Sequence, residues 1–198
     1  MTRIVNNCVA LVCLCLFWGQ SLRAADASHS EQIKWGNESV FNEEHNTLGL
    51  FSGVLGGQIV LAGGTSDDYS RWGRNAVCLS ENAGFALYED VLSKPLAYGA
   101  SITLSDGILC IGGRDSSQCY EDVFFVTMQQ GKLNVSEDWP PLPFPLSNAA
   151  GALLDNKVYL FGGRKSVSPS RLSDSFFVLD LSNNCLLYTS DAADDMQC

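Results

Sequence analysis

The chain has 198 residues, of which 46% are hydrophobic, and it carries a net charge of −10. This composition is typical of a globular protein with a hydrophobic core and excludes a generally disordered chain. Binding to nucleic acid or to an anionic membrane requires a basic surface that displaces counterions, so the acidic balance argues against both partners.

The N-terminal residues predict an export signal. Arg3 supplies the positive start, residues 8–18 an apolar segment, and residues 24–27 include three alanines suited to a cleavage site. The apolar segment is too short to span a bilayer. We therefore expect residues 1–27 to be a signal peptide and the protein to be periplasmic or secreted, without a membrane contact after cleavage. An uncleaved anchor is the alternative.

One sequence motif then occurs three times, as GLFSGVLGGQIVLAGG, YGASITLSDGILCIGG and NAAGALLDNKVYLFGG. Each copy predicts a strand rich in small residues, a tight turn, a strongly apolar strand and a closing Gly-Gly. The predicted turns are Gly56-Gly57, Asp106-Gly107 and Asn156-Lys157. The closing pairs begin at Gly63, Gly112 and Gly162, which is a period of about 50 residues. A second β segment follows in two copies, and we align these segments on Asp122 and Asp174.

These motifs and their spacing resemble Kelch-type β-propellers. The segments KPLAYGASITLSDGILCIGG and WPPLPFPLSNAAGALLDNKVYLFGG resemble the blade junctions of the cyclically permuted mutarotase family, which acts on sialic acid (N-acetylneuraminate), and they cover about residues 93–163. LFSGVLGGQIVLAGG is also similar, but TSDDYSRWGRN replaces the family's usual sequence after its Gly-Gly. The resemblance implies an all-β, six-bladed ring. Residues 28–184 are then a partial propeller of about two and a half blades, with residues 33–40 closing the last blade.

The segment CLLYTSDAADD breaks the repeat pattern. It matches a translated transposon-end adapter from sequencing libraries, so we expect residues 185–198 to be a non-native tail that packs against nothing. A natural polar tail is the alternative. Without the signal and this tail, Cys78, Cys110 and Cys119 remain, and Cys110 lies in an apolar strand. It is expected to be a small buried hydrophobic residue and not a reactive thiol.

Four side chains are predicted to meet on one rim of the propeller. Tyr98 and Asn148 precede the first strand of their repeats, and Arg114 and Arg164 directly follow Gly-Gly. Because strand direction alternates within a blade, both kinds of position fall on the same face, where loops converge on a ligand. A guanidinium can hold a carboxylate through two parallel hydrogen bonds. The alternative is that these arginines form surface ion pairs with neighbours such as Asp115 or Asp174.

Other side chains are weaker candidates for this site. Arg71 and Arg74 lie in the unusual loop of the first repeat, whose shape the sequence does not predict. Trp35 and Trp139 are expected to pack between blades and not to stack on a sugar.

The catalytic residues stay unassigned. Mutarotation requires a base near the anomeric hydroxyl and an acid near the ring oxygen. Related enzymes are thought to use a Glu with an Arg six residues later, and no Glu in this chain has that neighbour. The two histidines, His29 and His45, do not suffice for a histidine-rich metal site, and we expect neither a metal nor a cofactor.

The expected function is that of an exported sialic acid mutarotase or epimerase-like isomerase that binds a carboxylated sugar. The alternative is a non-catalytic Kelch-repeat module that binds a protein or a glycan, because a fold alone does not imply an activity.

Overall fold

The computed structural model describes residues 48–81, 84–182 and 185–188. The predicted signal, residues 1–27, and the predicted closing strand, residues 33–40, lie outside the described residues. In the described part of the chain the regular secondary structure consists of β-strands, and all strand pairs are antiparallel. The all-β prediction is confirmed.

Twelve of the strands form three four-stranded sheets, which we call blades. The first blade contains β1 (Phe51–Leu55), β2 (Gln58–Ala62), β3 (Ala76–Ser80) and β4 (Gly84–Tyr88). The second blade contains β5 (Ala100–Thr103), β6 (Ile108–Ile111), β7 (Val123–Gln129) and β8 (Lys132–Ser136). The third blade contains β9 (Ala150–Leu154), β10 (Lys157–Phe161), β13 (Phe176–Asp180) and β14 (Cys185–Tyr188). A small hairpin of β11 (Arg164–Ser166) and β12 (Arg171–Leu172) lies between β10 and β13.

The third blade corrects one expectation. Residues 185–188 do not lack contacts, because β14 pairs with β13 from Phe177↔Tyr188 to Asp180↔Cys185. This pairing completes a third sheet, where the sequence predicted about two and a half blades. The physical reason is that β13 has an open edge of hydrogen-bonding groups and the sequence Leu-Leu-Tyr is compatible with a strand. Residues 189–198 lie outside the described residues, and the origin of the segment stays a prediction.

The predicted hairpin turns are found, but two of them are shifted by one residue. The turn of the second blade falls on Ser105 and Asp106, one residue before the predicted pair, because Thr103 pairs with Ile108. Gly56 and Gly57 have φ values of +55° and +77°, as a two-residue hairpin turn requires. The turn of the third blade falls on Asp155 and Asn156, at φ +48° and +61°, one residue before the predicted pair. The register Lys157↔Leu154 sets this position.

The core lies between blades. One cluster joins the first blade to the second, and there the rings of Phe51 and Phe124 meet edge to face with centroids 5.2 Å apart. A second cluster joins the second blade to the third, and Trp139 packs against it beside Phe125. The prediction for Trp139 is confirmed, whereas Trp35 lies outside the described residues. Cys110 is 1% exposed, and burial raises the pKa of its thiol, so the prediction of an inert buried cysteine is also confirmed.

The Gly-Gly pairs let neighbouring blades approach closely. The amide of Gly64 donates to the carbonyl of Leu96, and the amide of Gly113 donates to that of Leu146, each at 2.8 Å. A Cβ at Gly112, where φ is +64°, would collide with the carbonyl oxygen of Leu146. The inner strands also touch from blade to blade, β1 with β5 and β5 with β9. This is the arrangement of a partial β-propeller.

Candidate functional site

Short backbone bridges carry both arginines onto the rim beyond the Gly-Gly pairs. Arg114 and Ala97 exchange two hydrogen bonds of 2.8 and 2.9 Å, and Arg164 and Ser147 exchange two of 2.7 and 2.9 Å. Each bridge prolongs its hairpin by one step past the glycines. The first blade has the same bridge, but there Thr65 takes the position of the arginine.

Tyr98 and Asn148 occupy equivalent places beside these bridges. Gly49, Tyr98 and Asn148 all have positive φ, at +66°, +61° and +57°. The amide of Tyr98 donates to the carbonyl of Gly49, and the amide of Asn148 donates to that of Tyr98, both at 2.7 Å. A chain of hydrogen bonds therefore runs along the rim from blade to blade. Positive φ is costly for a bulky residue such as Tyr98, and such strain is often found at functional sites.

The four predicted residues line one open cleft of about 580 Å³. The cleft is bounded by residues from all three blades: Tyr69, Tyr98, Arg114, Asn148, Gly163, Arg164, Leu172 and Ser173. The structure thus brings Arg114, Arg164, Tyr98 and Asn148 together, whereas their role in substrate binding stays a prediction. Sequence reasoning missed Tyr69, Leu172 and Ser173.

Three aromatic rings surround the guanidinium of Arg114. Its Cζ lies 4.9 Å from the ring centroid of Tyr98, 5.0 Å from that of Trp72 and 5.9 Å from that of Tyr69. We call these three residues the aromatic cage. The Nη1 atom makes a long hydrogen bond of 3.4 Å to the carbonyl of Asp115, and Nε is buried without a hydrogen-bond partner among the described residues.

The ion-pair alternative does not describe either arginine within the described residues. The ion pairs found there are Arg74 with Asp90, Lys94 with Asp122, and Lys157 with Asp180. The carboxylate of Asp115 instead accepts the hydroxyl of Tyr120 at 2.6 Å and the backbone amides of Ser117 and Gln118. Arg114 and Arg164 therefore reach the cleft without a carboxylate partner among the described residues.

The loop 65–72 of the first blade supplies two members of the cage. Thr65 is fully buried, and its hydroxyl donates to the carbonyl of Arg71 at 2.7 Å. The indole of Trp72 donates to the carbonyl of Tyr69 at 3.1 Å. Hydrogen bonds from two serine hydroxyls and a backbone amide lower the pKa of Asp68 to about 2, so this loop carboxylate is ionised at neutral pH.

The weaker arginine candidates do not line the cleft. Arg74 pairs with Asp90, and Arg71 contributes its backbone to the loop 65–72. Neither is among the described residues that bound the cleft.

The cleft suits an anion better than it suits proton abstraction. Burial, and then the hydrogen bond and charge of Tyr69, raise the pKa of Tyr98 to about 12, although Arg114 opposes the shift. Tyr98 therefore stays protonated near neutral pH and acts as a hydrogen-bond donor. No carboxylate and no histidine is among the described residues that line the cleft.

No group of three His, Cys, Asp or Glu side chains among the described residues is placed to hold a metal ion. None of the described segments is a helix with the length and apolarity needed to cross a membrane.

Comparison with protein families places a known motif in the third blade. Residues 145–185 match the family model described as Kelch motif. No curated protein sequence matches the chain. The matched segment runs from the linker before the third blade to the first residue of β14. The Kelch motif and the antiparallel four-stranded sheets together support a Kelch-repeat protein with the fold of a partial β-propeller.

Proposed function

We propose that the cleft binds a carboxylated sugar of the sialic acid class. The observation that carries this proposal is that Arg114 and Arg164, from successive blades, line one cleft and pair with no described carboxylate. In a chain of net charge −10, two unpaired guanidinium groups form a local positive site for an anion. Each can hold a carboxylate through two parallel hydrogen bonds.

The other lining residues suit a sugar. The volume of about 580 Å³ falls within the range of about 300–1,000 Å³ typical of small-molecule sites. The Tyr98 hydroxyl donates to that of Tyr69 at 3.4 Å and offers its oxygen as an acceptor to a sugar hydroxyl. Asn148 offers an exposed amide whose oxygen accepts the hydroxyl of Ser147 at 3.1 Å. Tyr69 adds an exposed ring, a surface on which the apolar face of a sugar packs.

We further propose that the protein is an exported isomerase of the sialic acid mutarotase or epimerase type. The support is the resemblance of the blade junctions to that family and the apolar segment 8–18 near the N-terminus. The described blades supply substrate binding in this proposal, because the described residues that line the cleft include no carboxylate or histidine to act as a base for the anomeric hydroxyl. The catalytic acid and base are not assigned to any residue of this chain.

The second candidate is a Kelch-repeat module that binds a glycan or a protein without catalysis. The absence of a carboxylate or histidine among the described lining residues favours it. Nuclear magnetic resonance distinguishes the two candidates, because a mutarotase accelerates the exchange between the two anomers of N-acetylneuraminate and a binder does not.

Substitution of Arg164 tests the binding proposal. Arg164→Lys keeps the charge and removes the two-pronged geometry, so we expect about tenfold weaker binding of N-acetylneuraminate, the lower end of the contribution of a charged hydrogen bond. A neutral hexose should bind the variant and the unsubstituted chain equally. Isothermal titration calorimetry measures both ligands.

Arg74→Lys is the matched control, because Arg74 pairs with Asp90 and does not line the cleft. It should leave the affinity unchanged. Equal affinity of Arg164→Lys and the unsubstituted chain for N-acetylneuraminate would remove Arg164 from the site.

A further inference from the structure

We infer that the aromatic cage of Tyr69, Trp72 and Tyr98 positions the guanidinium of Arg114, and that this positioning sets the preference of the cleft for a carboxylated over a neutral sugar. The inference rests on the proposed function of the same cleft. It assigns a role to Tyr69 and Trp72, and Trp72 contacts Arg114 without itself lining the cleft.

The cage stabilises the cation without neutralising it. The negative face of an aromatic ring attracts a guanidinium within about 6 Å of its centroid, and all three rings meet this condition, at 4.9, 5.0 and 5.9 Å. A carboxylate partner would hold the side chain equally well but would compete with an anionic ligand for the same donors. Aromatic rings do not compete in this way, so the Nη donors of Arg114 that make no bond to the protein stay available to a ligand carboxylate, whereas Nε is buried.

The hydrogen bonds of Arg114 agree with the view that the rings hold its side chain while its donors serve a ligand. Among the described residues its side chain makes one bond to the protein, from Nη1 to the carbonyl of Asp115 at 3.4 Å. The Nε atom is buried and has no acceptor there. The orientation of the guanidinium is therefore set mainly by the ring contacts, because one long hydrogen bond fixes little.

The cage is built from two blades. Loop 65–72 begins with Thr65, which holds the position that Arg114 and Arg164 hold in the other blades. A backbone bridge between Thr65 and Trp72 and the bond from the Trp72 indole to the carbonyl of Tyr69 keep both rings in place. Tyr98 comes from the second blade and stacks on Tyr69 with centroids 6.5 Å apart. The first blade thus supplies rings in place of a third arginine.

Arg164 differs from Arg114 in this respect. Within the described residues the cations found over aromatic rings are Lys94, Lys165 and Arg114, and Arg164 is not among them. The two arginines thus have different surroundings, so loss of the cage should affect Arg114 alone. This asymmetry makes the inference separable from the proposed function.

The test compares Trp72→Leu with Trp72→Phe in the full chain. The ligands are N-acetylneuraminate and its methyl ester, which removes the carboxylate charge, and calorimetry measures their affinities. Leucine removes the ring, so we expect the acid to bind about three- to tenfold more weakly while the ester is unaffected. Phenylalanine keeps a ring face and should restore most of the preference for the acid, which a purely structural role of Trp72 would not require.

Tyr69→Leu is the second variant, because Tyr69 is 49% exposed and its truncation leaves the core intact. It decides the question if a thermal melt shows that Trp72→Leu is unfolded. If folded Trp72→Leu and Tyr69→Leu keep the preference for the acid while Arg114→Lys loses it, the inference is overturned and the proposed function stands. If the unsubstituted chain binds acid and ester equally, the proposed function is overturned together with the inference.

Discussion

Asp115 illustrates how one side chain stabilises the loop after Arg114. Burial raises the pKa of its carboxyl, but hydrogen bonds from the Tyr120 hydroxyl and from Ser117 and Gln118 outweigh it and lower the pKa from 3.8 to about 2. The folded state therefore favours the ionised form. Because the pKa is depressed on folding, the stabilisation is present above about pH 4 and is lost as the pH falls through about 2.

Asp115→Asn should remove this pH-dependent stabilisation. We expect a fall of roughly 1 kcal/mol in the free energy of unfolding at pH 7, which is a few degrees in the thermal midpoint. We also expect a weaker decline of the midpoint between pH 4 and pH 2. Thermal melts across this range measure both effects. Asp174→Asn, at an exposed position, is the control and should behave like the unsubstituted chain.

The repeat phase predicted Arg114, Arg164, Tyr98 and Asn148 as neighbours because each follows or precedes a regular strand by a fixed number of residues. The side chains of loop 65–72 have no fixed spacing of this kind from a strand. Its rings reach Arg114 through side-chain and backbone bonds internal to the loop, which have no periodic signal. The one available signal was the occurrence of two aromatic residues within TSDDYSRWGRN, where the family's usual sequence is absent.

At the scale of the elements, the closing glycines determine how closely blades approach. Gly112 and Gly131 have similar φ values, +64° and +74°, but different surroundings. A Cβ at Gly112 would collide with the carbonyl oxygen of Leu146, whereas a Cβ at Gly131 meets nothing within 4 Å. The pair therefore separates the energetic cost of a positive φ from the cost of a collision between a blade and the following linker.

We expect Gly131→Ala to lower the free energy of unfolding by about 1 kcal/mol, the cost of a left-handed alanine. Gly112→Ala should lower the free energy of unfolding by about 3 kcal/mol, because the backbone must also shift to relieve the collision with the carbonyl oxygen of Leu146. Chemical denaturation measures the difference. Equal losses for the two variants would show that the glycine at position 112 is required for its φ alone.

The sequence alignment of the second β segments shows where periodicity fails. The sequence alignment made Asp122 and Asp174 equivalent, but in the structure the equivalent of Asp122 is Ser175. The amide of Gly112 donates to the carbonyl of Asp122, and the amide of Gly162 donates to that of Ser175. The connection that contains β11 and β12 is longer in the third blade, because Ser175 lies 13 residues after Gly162 whereas Asp122 lies 10 residues after Gly112. Local similarity of sequence cannot reveal a one-residue offset when both alignments place a Phe in the strand.

At the scale of the whole molecule, β14 is the fourth strand of the third blade. Its removal would expose the edge of β13, and an open edge lowers stability and favours association between chains. The sequence indicated a tail without contacts because CLLYTSDAADD lacks the repeat pattern. Strand pairing depends on backbone groups, so a segment outside the repeat pattern can still complete a sheet.

Deletion of residues 185–198 should therefore lower the thermal midpoint by several degrees and increase aggregation on heating. Deletion of residues 189–198 alone is the control, because it keeps the paired strand β14. Differential scanning calorimetry and light scattering measure the two effects. An unchanged midpoint in the longer deletion would show that β14 does not stabilise the blade.

The hydrogen bonds along the rim connect the proposed ligand site to the contacts between neighbouring blades. Tyr98 accepts from Asn148 of the following blade, donates to Gly49 of the preceding one, and forms a wall of the cleft. A ligand that binds both Tyr98 and Asn148 would therefore stabilise the contact between the second and third blades, which these two residues form. Because the coupling between two equilibria is reciprocal, a ligand that stabilises this contact between blades has a higher affinity for the protein when the contact is already formed. A ligand that contacts both residues, as proposed for the carboxylated sugar, would therefore also stabilise the contact between successive blades.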